Sequence, residues 1–170
     1  MKRIMTGLVT AIALLAVPGA AAAAGGATVE RFPVSWELTS ESCSNLPAGT
    51  TIEGTGTEKS ITRTRTTAAG ATTISNTTTA TGTATDQDGN TYAFLYSNTF
   101  RVTDSTDDPG VFTGLMNDAF SLAGRGPSKL SNGFTAHITT DLATFFVFDP
   151  IRAYGDPISF PEGEEHCDPL

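Results

Sequence analysis

The chain has 170 residues, a formal charge of −8 and 39% hydrophobic residues, enough for one domain with a real core. Its 18 acidic side chains outnumber 10 basic ones, a balance that repels phosphate backbones and anionic lipid and excludes nucleic acid as a partner. Two histidines and two cysteines are too few and too scattered for a metal set, and no cofactor is expected.

Lys2-Arg3, the apolar run 4–17 and the small-residue segment 18–24 read as an export signal cleaved near residues 22–24. The run is short for a bilayer span, so no integral membrane segment is expected after cleavage. What remains is residues 25–170, a single secreted domain, and the loss of Lys2 and Arg3 takes the charge from −8 to −10. In an exported chain the pair Cys43 and Cys167 is most simply a disulfide; His166 beside Cys167 lacks the companions a catalytic thiol needs.

Phe32, Val34, Trp36 and Leu38 alternate with polar residues and predict a half-buried strand, with Pro33 placing it at a sheet edge. Residues 40–49 read as a loop carrying Cys43. The threonine-rich stretch 50–85 predicts three strands, 51–59, 61–68 and 72–85, with a turn at Ala69-Gly70. Gly54 and Gly56 share a face and invite close approach by backbone or ligand. Asp88-Gly-Asn90 reads as a hairpin turn into the clearest strand of the chain. There Tyr92, Phe94, Tyr96, Asn98, Phe100 and Val102 share one face.

Residues 111–122 resume the alternation, with Phe112, Gly114, Met116, Asp118, Phe120 and Leu122 together, and 123–133 read as a loop. Phe134, Ala136, Ile138, Thr140 and Leu142 form another inward set. Phe145 to Phe148 are apolar on both faces, which points either to a central strand or to a partner surface. Asp149-Pro150 is expected to break that strand, and 151–160 to add a last short one before an acidic tail pinned by Cys167. The fold class is all-β, a single antiparallel meander-like β-barrel of about eight strands, with a two-sheet β-sandwich as the alternative.

The segments Gly82-Thr-Ala-Thr-Asp-Gln-Asp-Gly-Asn-Thr-Tyr92, Tyr96-Ser-Asn-Thr-Phe-Arg101, Ser121-Leu-Ala-Gly-Arg-Gly-Pro127 and Ser131-Asn-Gly-Phe134, with Cys167-Asp-Pro-Leu170, resemble a group of small secreted actinobacterial proteins of unknown function. At fold level the chain is also similar to barrels of the allene oxide cyclase, dirigent and lipocalin kinds. The resemblance implies an exported β-barrel and brings no activity or site residues with it.

Chemistry-bearing motifs are few. Asp86, Asp88 and Asn90 are spaced as at the start of a calcium loop, but the twelfth position is Ser97 where a glutamate is needed, so a turn accounts for them. Asp104, Asp107 and Asp108 read as a solvated loop, and His137 as a surface residue. Asn98 and Asp118 interrupt apolar faces, and buried polar groups need partners. They are expected to line the interior with Tyr92, Phe94, Tyr96, Phe112 and Phe120 as a site for a small apolar or aromatic molecule. The alternatives for Asp118 are a solvated strand end and an acid or base of an isomerase- or cyclase-like enzyme. No serine elbow, phosphate loop or HExxH is present. A second functional reading is an envelope or extracellular protein-interaction module that docks through Phe145 and Val147 or the threonine-rich strands.

Overall fold

The period-two patterns form strands, and the turns between them return each strand against its predecessor. The structure is a computed structural model that describes residues 26–105, 108–143, 146–155 and 167. The export segment, Asp107, Phe145, His166 and most of the acidic tail lie outside the described residues. Seven antiparallel strands make one sheet in sequence order: β1 (Ala27–Thr39), β2 (Thr51–Thr66), β3 (Thr72–Asp86), β4 (Thr91–Asp104), β5 (Phe112–Gly124), β6 (Leu130–Thr140) and β7 (Phe146–Tyr154). The protein is therefore an all-β antiparallel meander in a single sheet. Among the described residues β1 and β7 are its two edges, with no pairing that closes one onto the other.

Several boundaries differ from the sequence expectation. Residues 51–66 are one strand rather than two, because threonine and serine carry the pleat through Ser60 without a turn. β6 starts at Leu130, inside the expected loop, and buries Asn132 and Gly133. Leu142 leaves the inward set: it adopts φ 65°, and its N–H is held by the Thr140 hydroxyl in a turn. β7 runs through Asp149-Pro150, absorbing the proline with a register shift opposite Thr135 and Ala136. It is an edge strand, not a central one. β1, carrying Pro33, is the other edge, as expected.

The buried apolar side chains of β1 to β6 are all even-numbered, and every rung between these strands pairs even with even or odd with odd. On the even-numbered face Trp36 of β1 meets Phe94 of β4 edge-on at 5.2 Å and Phe120 of β5 at 5.7 Å. In a flat sheet four strand spacings separate β1 from β5, about 19 Å, more than two aromatic side chains can bridge. The sheet is therefore rolled around these rings.

Small residues permit the roll. A Cβ on Gly54 would collide with the Trp36 indole, and one on Gly56 or Gly82 with the Phe94 ring and the neighbouring backbone. The close backbone approach expected here occurs at Gly56, and the protein's own rings occupy the space at Gly54 and Gly56. Trp36 Nε1 is buried with no hydrogen-bond partner among the described residues.

The loop after β1 covers the base of this core, inserting Cys43 and Leu46. Cys43 is bonded to Cys167 with a Cα–Cα distance of 4.9 Å across 124 residues. Asn132 Nδ2 donates to the Cys167 carbonyl at 2.8 Å, so the same linkage ties β6 to the loop after β1. On the chain-entropy account a loop of this length contributes about 5 kcal/mol. Replacing both cysteines by serine is expected to lower stability by about 2–5 kcal/mol, measured by urea unfolding.

Candidate functional site

Beyond the aromatic core the same face turns polar. Ser60, Thr78, Asn98 and Asp118 stand side by side on β2, β3, β4 and β5 as one rung-aligned row. Thr62 and Asn76 continue it one rung further on β2 and β3, beside Phe100 and Met116. These residues are half-buried, except Asp118, which is only 7% exposed.

Two hydrogen-bonded groups make up the row. The Tyr96 hydroxyl donates to Asp118 Oδ2 at 2.9 Å, and Asn98 Nδ2 donates to the same oxygen at 2.6 Å. Asn76 Nδ2 donates to the Ser60 and Thr62 hydroxyls, both at 2.9 Å, while the Thr78 hydroxyl donates to Asn76 Oδ1 at 2.9 Å. Polar side chains on the inner face of a sheet are tolerable here because they satisfy one another. Asn76 is occupied in this network and points inward. On the neighbouring rung of β2, burial holds the Glu58 carboxyl above its ordinary range.

The seven side chains expected to form an interior site are divided. Tyr96, Asn98 and Asp118 come together. Phe94 and Phe120 lie in the filled core against Trp36. Tyr92 donates its hydroxyl to Asp86 Oδ2 at 2.8 Å near the base of the core. Phe112 shares the face but sits eight residues from Phe120 on β5, about 27 Å along the strand. The two best-formed recesses, of about 220 and 350 Å³, are open hollows around Glu53 that take in none of the seven. Sequence reasoning missed Glu58, Ser60, Thr62, Asn76 and Thr78. The one signal available was Asn76, a lone amide in a run of hydroxyls.

The calcium-like spacing at Asp86 resolves into a turn. Asp86 Oδ1 accepts the N–H groups of Asp88 and Asn90, and Oδ2 accepts Asn90 Nδ2 and the Tyr92 hydroxyl. Donors surround the carboxylate where a cation would need acceptors, and Gly89 completes the turn at φ 83°. Among the described residues no cluster of three metal-ligating side chains occurs. No family model, curated protein or solved structure matches this chain.

Two substitutions check this account. Asp118→Ala removes the acceptor shared by the Tyr96 hydroxyl and the Asn98 amide and is expected to cost about 2–3 kcal/mol in chemical unfolding. For Asp86, burial works to raise the pKa, but the bonds from Asn90, Tyr92 and Asp88 outweigh it and hold the carboxyl below its ordinary value. A lowered folded-state pKa gives stability that is complete above the unfolded value, about 3.9, and is lost as pH falls through the folded one. Asp86→Asn is thus expected to be less stable than the natural protein at pH 7. The gap should close on acidification below about pH 4, followed by thermal unfolding across pH.

Proposed function

We propose that the protein is a secreted, non-enzymatic binding protein that takes up a small donor-rich molecule, an amine or a sugar-like polyol, on the polar half of its concave face. The rolled meander serves as a half-barrel, a cup closed at its base by the Cys43–Cys167 bond. That bond is compatible with export, as is the lack, among the described residues, of a helix long and apolar enough to cross a membrane.

The observation that carries this reading is the sidedness of charge. Every lysine and arginine on the described strands points away from the cup: Arg31, Lys59, Arg63, Arg65, Arg101 and Arg152. The carboxylates of Glu58 and Asp118 point in, among amide and hydroxyl oxygens. Such a face attracts hydrogen-bond donors and cations and repels anions. Phe100 and Met116 flank it and supply apolar contact for a carbon frame. An apolar or aromatic ligand deeper in the cup would have to displace Trp36, Phe94 or Phe120, which already fill that space. The reading therefore moves the ligand outward from the aromatic core to the polar row.

Native mass spectrometry of protein made in an oxidising compartment is expected to show a retained mass that denaturation releases. Thermal unfolding with a panel of polyamines and disaccharides, each at about 1 mM to stay below the range where osmolytes act by exclusion, is expected to find ligands that raise Tm by a few degrees. Citrate at the same concentration should not, and Glu58→Gln or Asp118→Asn should abolish the shift. A bare mass together with no shift from any amine or sugar overturns the reading.

A further inference from the structure

β7 is the last strand of the sheet, and among the described residues nothing pairs with its far side. Beside exposed Asp149 and Arg152 it carries large apolar side chains. Phe146, Val147, Ile151 and Tyr154 are 52, 56, 52 and 47% exposed. Edge strands ordinarily carry charge to discourage a second chain. β1, the other edge, carries exposed Glu30, Arg31 and Glu37 beside exposed Val29 and Phe32. Each edge also contains one proline.

We propose that β7 is a dimerisation edge, pairing antiparallel with β7 of a second copy of this chain in the register that sets Asp149 opposite Arg152. The argument is charge complementarity fixed by the bulge. In a regular strand, residues three apart point to opposite faces. Here Asp149 lies opposite His137 and Arg152 opposite Thr135, while Pro150 takes Ala136 and Ile151 is the extra residue. His137 and Thr135 share the outer face of β6, so Asp149 and Arg152 share the outer face of β7.

A twofold axis perpendicular to the sheet, between Pro150 and Ile151, then brings each Asp149 across from Arg152 of the partner subunit. The same register puts Val147 across from Tyr154 of the partner subunit, on the same face. Ionic and apolar rungs are thus both self-complementary. Pro150 withholds one backbone donor per chain, but it lies beside the axis, and residues on either side of it complete the ladder.

On β1 the register that sets Arg31 opposite Glu37 also sets Glu30 opposite Leu38, charge against an apolar side chain. The register of β1 with β2 is unbroken from Ala27 to Thr39, so Glu30 and Arg31 are neighbours on opposite faces. No twofold antiparallel pairing can set one opposite the other.

A single strand edge is a small interface, so the test is light scattering after size exclusion at about 100 µM of the disulfide-bonded protein. The natural chain is expected to show twice the monomer mass. Asp149→Arg and Arg152→Asp are each expected to run at the monomer mass with an unchanged far-ultraviolet spectrum, since both positions are exposed. Mixed in equal amounts, the two variants should regain the double mass, because each contact in the mixed pair again joins opposite charges. The chain carrying both substitutions should do the same alone. A natural chain that stays monomeric overturns the proposal. So does a dimer that survives both single substitutions, or a mixture that remains monomeric.

Discussion

The packing of Trp36 against Phe94 and Phe120 is the contact on which the rest of the structure depends. It spans from the first strand to the fifth, and it exists only because the sheet rolls. The roll needs strands that can approach closely on the inside, and Gly54, Gly56 and Gly82 supply that by leaving room for rings where a Cβ would stand. Sequence and shape meet here: large rings on β1, β4 and β5 are matched by missing side chains on β2 and β3. Any side chain larger than hydrogen at these positions would push the rings apart and flatten the sheet.

Filling one end of the cup with aromatics leaves the other end to polar groups. The row from Ser60 to Asp118 uses the same pleat and the same face, but its stability comes from mutual hydrogen bonding rather than from apolar burial. The two halves divide the work. The packed half holds the curvature, and the polar half presents a fixed array of amides, hydroxyls and carboxylates. Because every strand cation lies outside, that array keeps an acidic character that solvent screens less on the concave side than on the convex one.

Much of this was legible in the sequence. β4 and β5 announce themselves by clean alternation, and Asn98 and Asp118 stand out as polar interruptions that turned out to face each other. Pro33 correctly marked an edge, and two cysteines left a single pairing. Residues 50–85 were not legible in the same way. Threonine on both faces erases the period-two contrast, so neither the continuity of β2 nor the inward direction of Ser60 and Thr78 could be read. The bulge at Ile151 was hidden for another reason: a bulge is a relation between two strands, and one strand's sequence does not contain it. Leu142 misled because the alternation of β6 continues past the point where the backbone turns.

The disulfide imposes an order on folding. A meander zips each strand onto the strand next to it in the chain. Cys43 and Cys167 are the exception, 124 residues apart. Their partners in space, the loop after β1 and Asn132 on β6, meet only after the intervening strands have rolled. The bond is therefore a seal set at the end rather than a guide at the start. With no third cysteine in the chain, an early thiol has no wrong partner to find within the same molecule.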